Sequence, residues 1–373
     1  MKYRRLFLGG MSVVLVILIC ACGNNKTTKQ EQNVEETKVI YKGDYAALLP
    51  FQTSSARIKH SQLSTGVEET MTLGKGLMQL SKEYFDPEDY TYKDSVFLDY
   101  SSLDARSDGD GLLGRTSETN PNGLNPAVGT EFKLTNQKTK KISSSDVVLH
   151  DIYELDWYKG NELSGISLAL VLNSEIGADS NSLDTISDDM LRTYGEDVGR
   201  KLVSYLRKAK PEIGQKTPIL VTLYKKATVN SPLSGTFISQ GYFASKTVGE
   251  FTSITQQRVL LPSDEATALD GTTASKFSNF LKTYEDLLPD KASTIATALY
   301  ENKQLVSLKI EVVMYAKTWG EANAAIQTMH SSLKTYFSSK TYGVQLVVKN
   351  NDELAAVITR SQGSSELNSN VLY

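Results

Sequence analysis

The chain has 373 residues, 40% of them hydrophobic and 22% charged, with a formal net charge of −3. That is enough chain for two domains of ordinary size, with the composition of a folded globular protein. The acidic balance argues against nucleic acid or an anionic wall polymer as the main partner.

The first residues read as a secretory leader. Lys2, Arg4 and Arg5 precede an apolar run, Leu6 to Ala21, broken only by Gly9, Gly10 and Ser12. A basic start and a short apolar segment form a signal peptide, and the run is somewhat short for the roughly 20 residues that span a bilayer. Ile19-Cys20-Ala21-Cys22-Gly23 fits a lipobox, with small residues before a cysteine whose thiol takes up lipid. Cleavage at Cys20 would place the bulky Leu18 and Ile19 before the cut, so the pattern predicts cleavage between Ala21 and Cys22 and lipidation of Cys22. A lipid transferase and a signal peptidase are then the maturation partners. The mature chain is held on the outer face of the cell membrane, because two acyl chains anchor firmly where one does not. Cys22 becomes the only cysteine, which excludes an internal disulfide, a cysteine–metal cluster and a cysteine protease. His60, His150 and His330 have no second histidine at ligand spacing. No metal and no cofactor is predicted.

Gly23–Val39 (GNNKTTKQEQNVEETKV) has two apolar residues and predicts a flexible tether of roughly 20–25 Å. Folded chain is expected from Tyr41. The apolar set Val67, Met71, Leu77, Met78 and Leu80 predicts a helix over 66–84, weakened by two glycines. A strand over Ser95–Tyr100 and a glycine-rich loop over Ser107–Gly129 follow. Val147–Trp157 alternates, with Tyr153, Leu155 and Trp157 on one face and Ile152, Glu154 and Asp156 on the other. Gly165–Asn173 is nearly all apolar, as in a strand covered on both faces. Asp188–Ala209 is a helix with an acidic start and a basic end. Thr217–Tyr224 is the next strand, which completes a crossover unit in a mixed sheet.

Ala227–Gly235 reads as a domain connection. Beyond it the pattern predicts strands at Tyr242–Phe251 and Ser253–Leu261, a helix at Ala274–Leu288 and a strand at Gln304–Tyr315. A helix at Trp319–Phe337 has Ala322, Ala325, Ile326, Met329 and Leu333 inward. A strand at Val344–Lys349, a short helix at Asn351–Ile358 and a loose tail at Ser361–Tyr373 complete the chain. The fold class is α+β: two α/β-containing domains with mixed or antiparallel sheets, after a signal peptide and a disordered tether. The divisions are 1–21 leader, 22–40 lipidated cysteine and tether, 41–230 N-terminal domain, 236–360 C-terminal domain and 361–373 tail.

No catalytic set emerges. Asp104–Gly111 has a passing likeness to a calcium loop, but Arg106 and Arg115 stand where oxygen ligands belong. G-x-S-x-G and G-x-x-x-x-G-K-[ST] are absent, and Ser331-Ser332-Leu333-Lys334 falls late in a helix without the strand that would accompany it. His150, Glu154 and Asp156 share a strand as scattered charge.

The glycine-rich loop carries a resemblance. Gly111-Leu112-Leu113-Gly114-Arg115, followed by Asn120-Pro121-Asn122-Gly123-Leu124-Asn125-Pro126-Ala127-Val128-Gly129, resembles the signature of the CamS sex-pheromone lipoprotein family of Gram-positive bacteria. The strand pair from Val148 to Asn173 resembles the next block of that family. The resemblance implies that the tail of the leader is trimmed and released as a hydrophobic peptide, which cells carrying a responsive conjugative plasmid detect through a peptide receptor. By position that peptide is Leu15–Ala21 (LVILICA).

Three readings of the mature domain follow. The first is a non-catalytic binding or interaction module. The second is a cell-envelope enzyme using the Arg115–Asn125 loop, with Arg115, Glu118, Asn120 and Asn125 as candidate binding residues. The third is a solute-binding lipoprotein, which needs two similar lobes; the second half does not read as a repeat of the first.

Overall fold

In a computed structural model of the chain, residues 35–372 are described except 64–65, 105–110, 180–181, 246–248, 286 and 289–291. The leader, Ala21, Cys22, the first part of the tether and most of the calcium-like stretch lie outside the described residues. Val34–Tyr373 forms one compact unit.

The first half opens with helices α1 (Ser55–Leu63) and α2 (Val67–Ser81), then β1 (Thr91–Asp94) and the single turn α3 (Tyr100–Leu103). A hairpin, β2 (Glu131–Lys133) and β3 (Thr139–Lys141), precedes the long strands β4 (Leu149–Lys159) and β5 (Glu162–Leu172). The small pair β6 (Glu175–Ile176) and β7 (Asp184–Thr185) leads to α4 (Asp188–Ala209), β8 (Ile219–Lys225), β9 (Thr236–Phe243) and β10 (Phe251–Ser253). The second half runs β11 (Gln256–Leu261), α5 (Asp264–Leu269), α6 (Gly271–Glu285), β12 (Ser293–Glu301) and β13 (Gln304–Met314). It ends with α7 (Trp319–Tyr336), β14 (Gly343–Asn350), β15 (Glu353–Arg360) and β16 (Asn368–Val371).

Two six-stranded sheets organise these elements, in the orders β1-β4-β5-β8-β9-β10 and β11-β12-β13-β14-β15-β16. In each, the two central strands are parallel and every other neighbour is antiparallel. A helix makes each parallel connection, α4 between β5 and β8 and α7 between β13 and β14, because parallel neighbours need a crossover. The second sheet therefore repeats the topology of the first, which corrects the reading that the second half is not a repeat of the first.

The first sheet is covered on both faces. Leu191, Val198, Leu202 and Leu206 of α4 meet Leu168, Leu170, Val221 and Leu223 on one side. Leu73 and Leu77 of α2 meet Leu155, Trp157, Val171 and Tyr224 on the other. Both faces of β5 are consequently apolar, as its sequence predicts. The α4 sequence sets its own ends. Ser187 accepts a hydrogen bond from the Met190 amide, Asp188 and Asp189 occupy the first turn, and Arg207 and Lys208 the last. On the second sheet, α6 and α7 share one core with the inward residues of β12–β15, including all five residues predicted to face inward on α7.

Several expectations are corrected. Ala227–Gly235 joins the antiparallel neighbours β8 and β9 within one sheet, and the change of sheet comes only after Ser253. Ordered contacts begin before Tyr41: the Leu49 amide donates to the Glu35 carbonyl at 2.8 Å and the Thr37 amide to Ala47 at 2.9 Å. The strand expected at Ser95–Tyr100 is irregular, because Glu154 and Asp156 take the amides of Val96, Phe97 and Leu98 out of any ladder; the strand there is β1. The strand expected at Tyr242–Phe251 is not continuous: β9 ends at Phe243 and β10 begins at Phe251. The helix expected at Asn351–Ile358 is not formed: Asn351, at φ 54°, and Asp352 make a tight turn, and Glu353–Ile358 runs in β15 beside β14. Part of the expected loose tail, Asn368–Val371, adds the edge strand β16.

Candidate functional site: a charged groove under helix α2

Two glycines on α2 divide its contact with the sheet. A Cβ on Gly76 would fall 2.4 Å from the Phe237 ring, so glycine there permits close packing. A Cβ on Gly74 would meet only Tyr153, at an ordinary 3.5 Å. Around Gly74 the helix and sheet leave a groove of about 560 Å³. Its apolar lining includes Leu73, Met78, Val171, Tyr153 and Tyr224, and its charged lining Arg57, His60, Glu69, Asp94, Asp151 and Lys226. That size suits a small organic molecule.

A built ionic network closes one end. The β4–β5 register shifts between Leu149 and Asp151, and both His150 and Asp151 line the groove. The Asp151 carboxylate receives Arg57 in a forked pair at 2.7 and 2.9 Å and His60 Nδ1 at 2.6 Å. Arg57 also donates to the Ile152 carbonyl at 3.0 Å, and its guanidinium lies 5.5 Å from the Tyr153 ring centroid. His60 Nε2 faces Asp104 at 3.3 Å. Burial by itself raises the Asp151 pKa, but the hydrogen bonds from His60 and Arg57 outweigh it and hold the group far below the usual carboxylate range. The hydrogen bond to Asp151 raises the pKa of His60. Its ring lies between the Asp151 and Asp104 carboxylates, an arrangement that favours the charged form.

Two further groove carboxylates are engaged, while Asp44, which also lines the groove, is exposed. Asp94 accepts from the Tyr153 hydroxyl at 2.8 Å and from Ser95 at 2.7 Å. Glu69 accepts from the Gly235 amide at 3.1 Å. Lys226 differs: its half-buried ammonium has no hydrogen-bond or ion-pair partner among the described residues. Burial lowers its pKa. Burial, together with the charge of Lys226, drops His150 to about 4, so that ring is neutral near pH 7.

The predicted loop residues are elsewhere. Arg115 donates to the carbonyls of Pro126 at 2.9 Å, Ser144 at 3.0 Å and Asp146. Asn125, 2% exposed, donates to Leu113 and Leu149 carbonyls at 2.8 Å and accepts from the Val148 and Leu149 amides at 2.9 Å. All four of its hydrogen-bonding positions are filled, and it pins the loop to β4. Buried Asn120 donates to the Gly111 carbonyl at 3.0 Å. Glu118 alone is exposed, and its side chain has no partner among the described residues. The structure thus brings Arg115, Asn120 and Asn125 together as braces, and none of the four lines the groove. His150 does line it, while Glu154 and Asp156 are buried away from it. Sequence reasoning missed Arg57, Asp151 and Lys226, and counted His60 without placing it. The one available signal was the three-residue spacing of Arg57 and His60, which places both on one face of α1.

Among the described residues no group of three His, Cys, Asp or Glu side chains is arranged to hold a metal, and no helix is long and apolar enough to cross a membrane. Among curated proteins none matches the chain significantly. Two solved structures share its fold. The sex pheromone precursor of Lactobacillus salivarius subsp. salivarius is 22% identical, with a TM-score of 0.77, over 91% of this chain and 99% of that one. The C-terminal domain of the sex pheromone staph-cAM373 precursor of Staphylococcus aureus is 21% identical, with a TM-score of 0.66, over 82% of this chain and 96% of that one. The sequence profile of the CamS sex pheromone cAM373 precursors matches residues 51–366, and the chain belongs to that family.

Proposed function

We propose that the chain is a surface lipoprotein anchored through Cys22, that its leader is the source of a hydrophobic pheromone peptide, and that its folded part is a non-catalytic binding module using the groove under α2. The family supports the precursor role, and the lipobox Ile19–Gly23 supports the anchor. The observation that carries the binding role is the groove of about 560 Å³, one end of which is closed by an ionic network of the chain's own side chains. The envelope-enzyme reading loses its motive, because three of the four loop residues are committed to bracing. The solute-binding reading gains similar sheets, yet the groove is lined only by residues of the first half.

The test has three arms. Mass spectrometry of the chain from cell membranes finds acyl groups on an N-terminal Cys22, and Cys22→Ala yields a chain that keeps its uncut leader. Synthetic LVILICA induces clumping of plasmid donors. A small-molecule screen of the mature chain finds ligands that raise its melting temperature by mass action, and Gly74→Phe, which fills the groove, abolishes the rise. An unmodified N-terminus, silence of the peptide at high dose, or ligands unaffected by the filled groove would each remove the corresponding part.

A further inference from the structure

We propose that the groove takes a small organic monocarboxylate, its oxyanion seated against Lys226 and its apolar body against the floor formed by Tyr153, Val171 and Tyr224. This assignment rests on the groove being a binding site, and it adds the chemistry of the occupant.

The internal repeat supplies a comparison within one chain. The Lys226 amide donates to the carbonyl of Leu172, the last residue of β5, at 2.9 Å. The Asn351 amide makes the matching bond to Met314, the last residue of β13, at 2.7 Å. Lys226 and Asn351 therefore hold the same place, just past the carboxyl ends of the two central parallel strands. In sheets with parallel strands joined by helices, ligands collect at that edge. In the second half the position is closed: the Asn351 side chain accepts from the Ala316 amide at 3.1 Å. In the first half it carries a cation with no acceptor among the described residues and opens on the groove.

Charge selects the class of guest. The opposite charges that act on Lys226 are Glu69 and Asp151, and both already serve other donors. Asp94 is likewise engaged. A cationic guest would find no free carboxylate among these three groups, and the remaining lining carboxylate, Asp44, is exposed to water. A monoanion would give Lys226 the acceptor it lacks, whereas a dianion would hold surplus negative charge beside Asp151 and Glu69 in a partly desolvated site. The apolar lining calls for a hydrocarbon or aromatic body attached to the anion.

Matched probes test this. Octanoate, 4-phenylbutyrate and N-acetyl-leucine are titrated into the mature chain beside their carboxamides, with inorganic phosphate as anion control, and amide NMR shifts locate and quantify binding. The acids bind at the groove at least tenfold more tightly than the amides, and phosphate does not displace them. Lys226→Met removes that preference without lowering the melting temperature, and Lys226→Arg retains it. Amides equal to acids, displacement by phosphate, or a preference that survives Lys226→Met overturns the carboxylate assignment while leaving a binding groove. If no acid or amide perturbs groove residues, the binding reading falls and this assignment with it.

Discussion

His60 Nδ1 lies 2.6 Å from Asp151 Oδ1, and this contact ties α1 to β4 at the mouth of the groove. The two partners respond to pH in opposite directions. His60 has a raised folded pKa, so its contribution is complete below the unfolded value near 6.5 and is lost as pH rises through the folded value. Asp151 has a depressed one, so its contribution is present above the unfolded value near 3.9 and fades as acid passes that point. His60→Gln should destabilise the chain by about 1.5–3 kcal/mol at pH 5.5 and by less at pH 9, read from urea midpoints. An equal loss at both values would mean that the imidazolium is not what Asp151 holds. Asp151→Asn, which strips both cations of their counter-charge, should cost about 3–5 kcal/mol.

Gly74 and Gly76 lie two residues apart on α2, and alanine should affect them in opposite senses. Gly74→Ala gains helix propensity in ordinary space and should stabilise by about 0.5–1 kcal/mol. Gly76→Ala drives a methyl into the buried Phe237 ring and should cost about 1–3 kcal/mol. Thermal melts of the two single variants decide the matter; the same sign for both would show that α2 does not sit as described.

The Arg115–Asn125 loop should behave as a brace. Asn125→Ala leaves two carbonyls and two amides of the loop and β4 without partners, and should cost about 2–4 kcal/mol. Glu118→Ala should stay within about 0.5 kcal/mol of the parent. A stable Asn125 variant that has lost a surface activity would return the loop to the list of sites.

Asp156 is fully buried next to Glu154, and one of its oxygens has no hydrogen-bond partner among the described residues. Burial, then the neighbouring Glu154 charge, raises its pKa well above the ordinary value. A raised folded value means that its stabilising contribution belongs to the acid side and is lost as pH rises through that value. Asp156→Asn keeps an acceptor for the Val96 amide at 2.9 Å without a charge, and should stabilise by about 1 kcal/mol or more at pH 8.5. Denaturant midpoints at pH 5 and pH 8.5 test the sign, and a variant weaker at the higher pH would refute it.

Local pattern read the long elements well. The ends of α4 were legible because an acidic first turn and a basic last turn mark them. The inward face of α7 followed from its 3.6-residue spacing, and β5 from its unbroken apolar run. The misread helix at Asn351–Ile358 shows the limit: NDELAAVI has helical propensity, and only pairing with β14 makes it a strand. The topological repeat was hidden because two sheets can share an order of strands while their residues differ. The groove was hidden for a related reason. Arg57, Asp151 and Lys226 are far apart in the chain and meet only after β5 and β8 pair and α1 and α2 cover them. The loop that drew attention in the sequence proved rich in asparagine and glycine because it is tightly folded: a Cβ on Gly123 would fall 2.3 Å from the Arg115 carbonyl.

The most direct measurement is a crystallographic soak of the mature chain with a library of small organic acids, amides and amines. The account predicts ligand density in the groove under α2, with acids beside Lys226. Density at the Arg115–Asn125 loop or between α6 and α7, with the groove empty across the library, would contradict it.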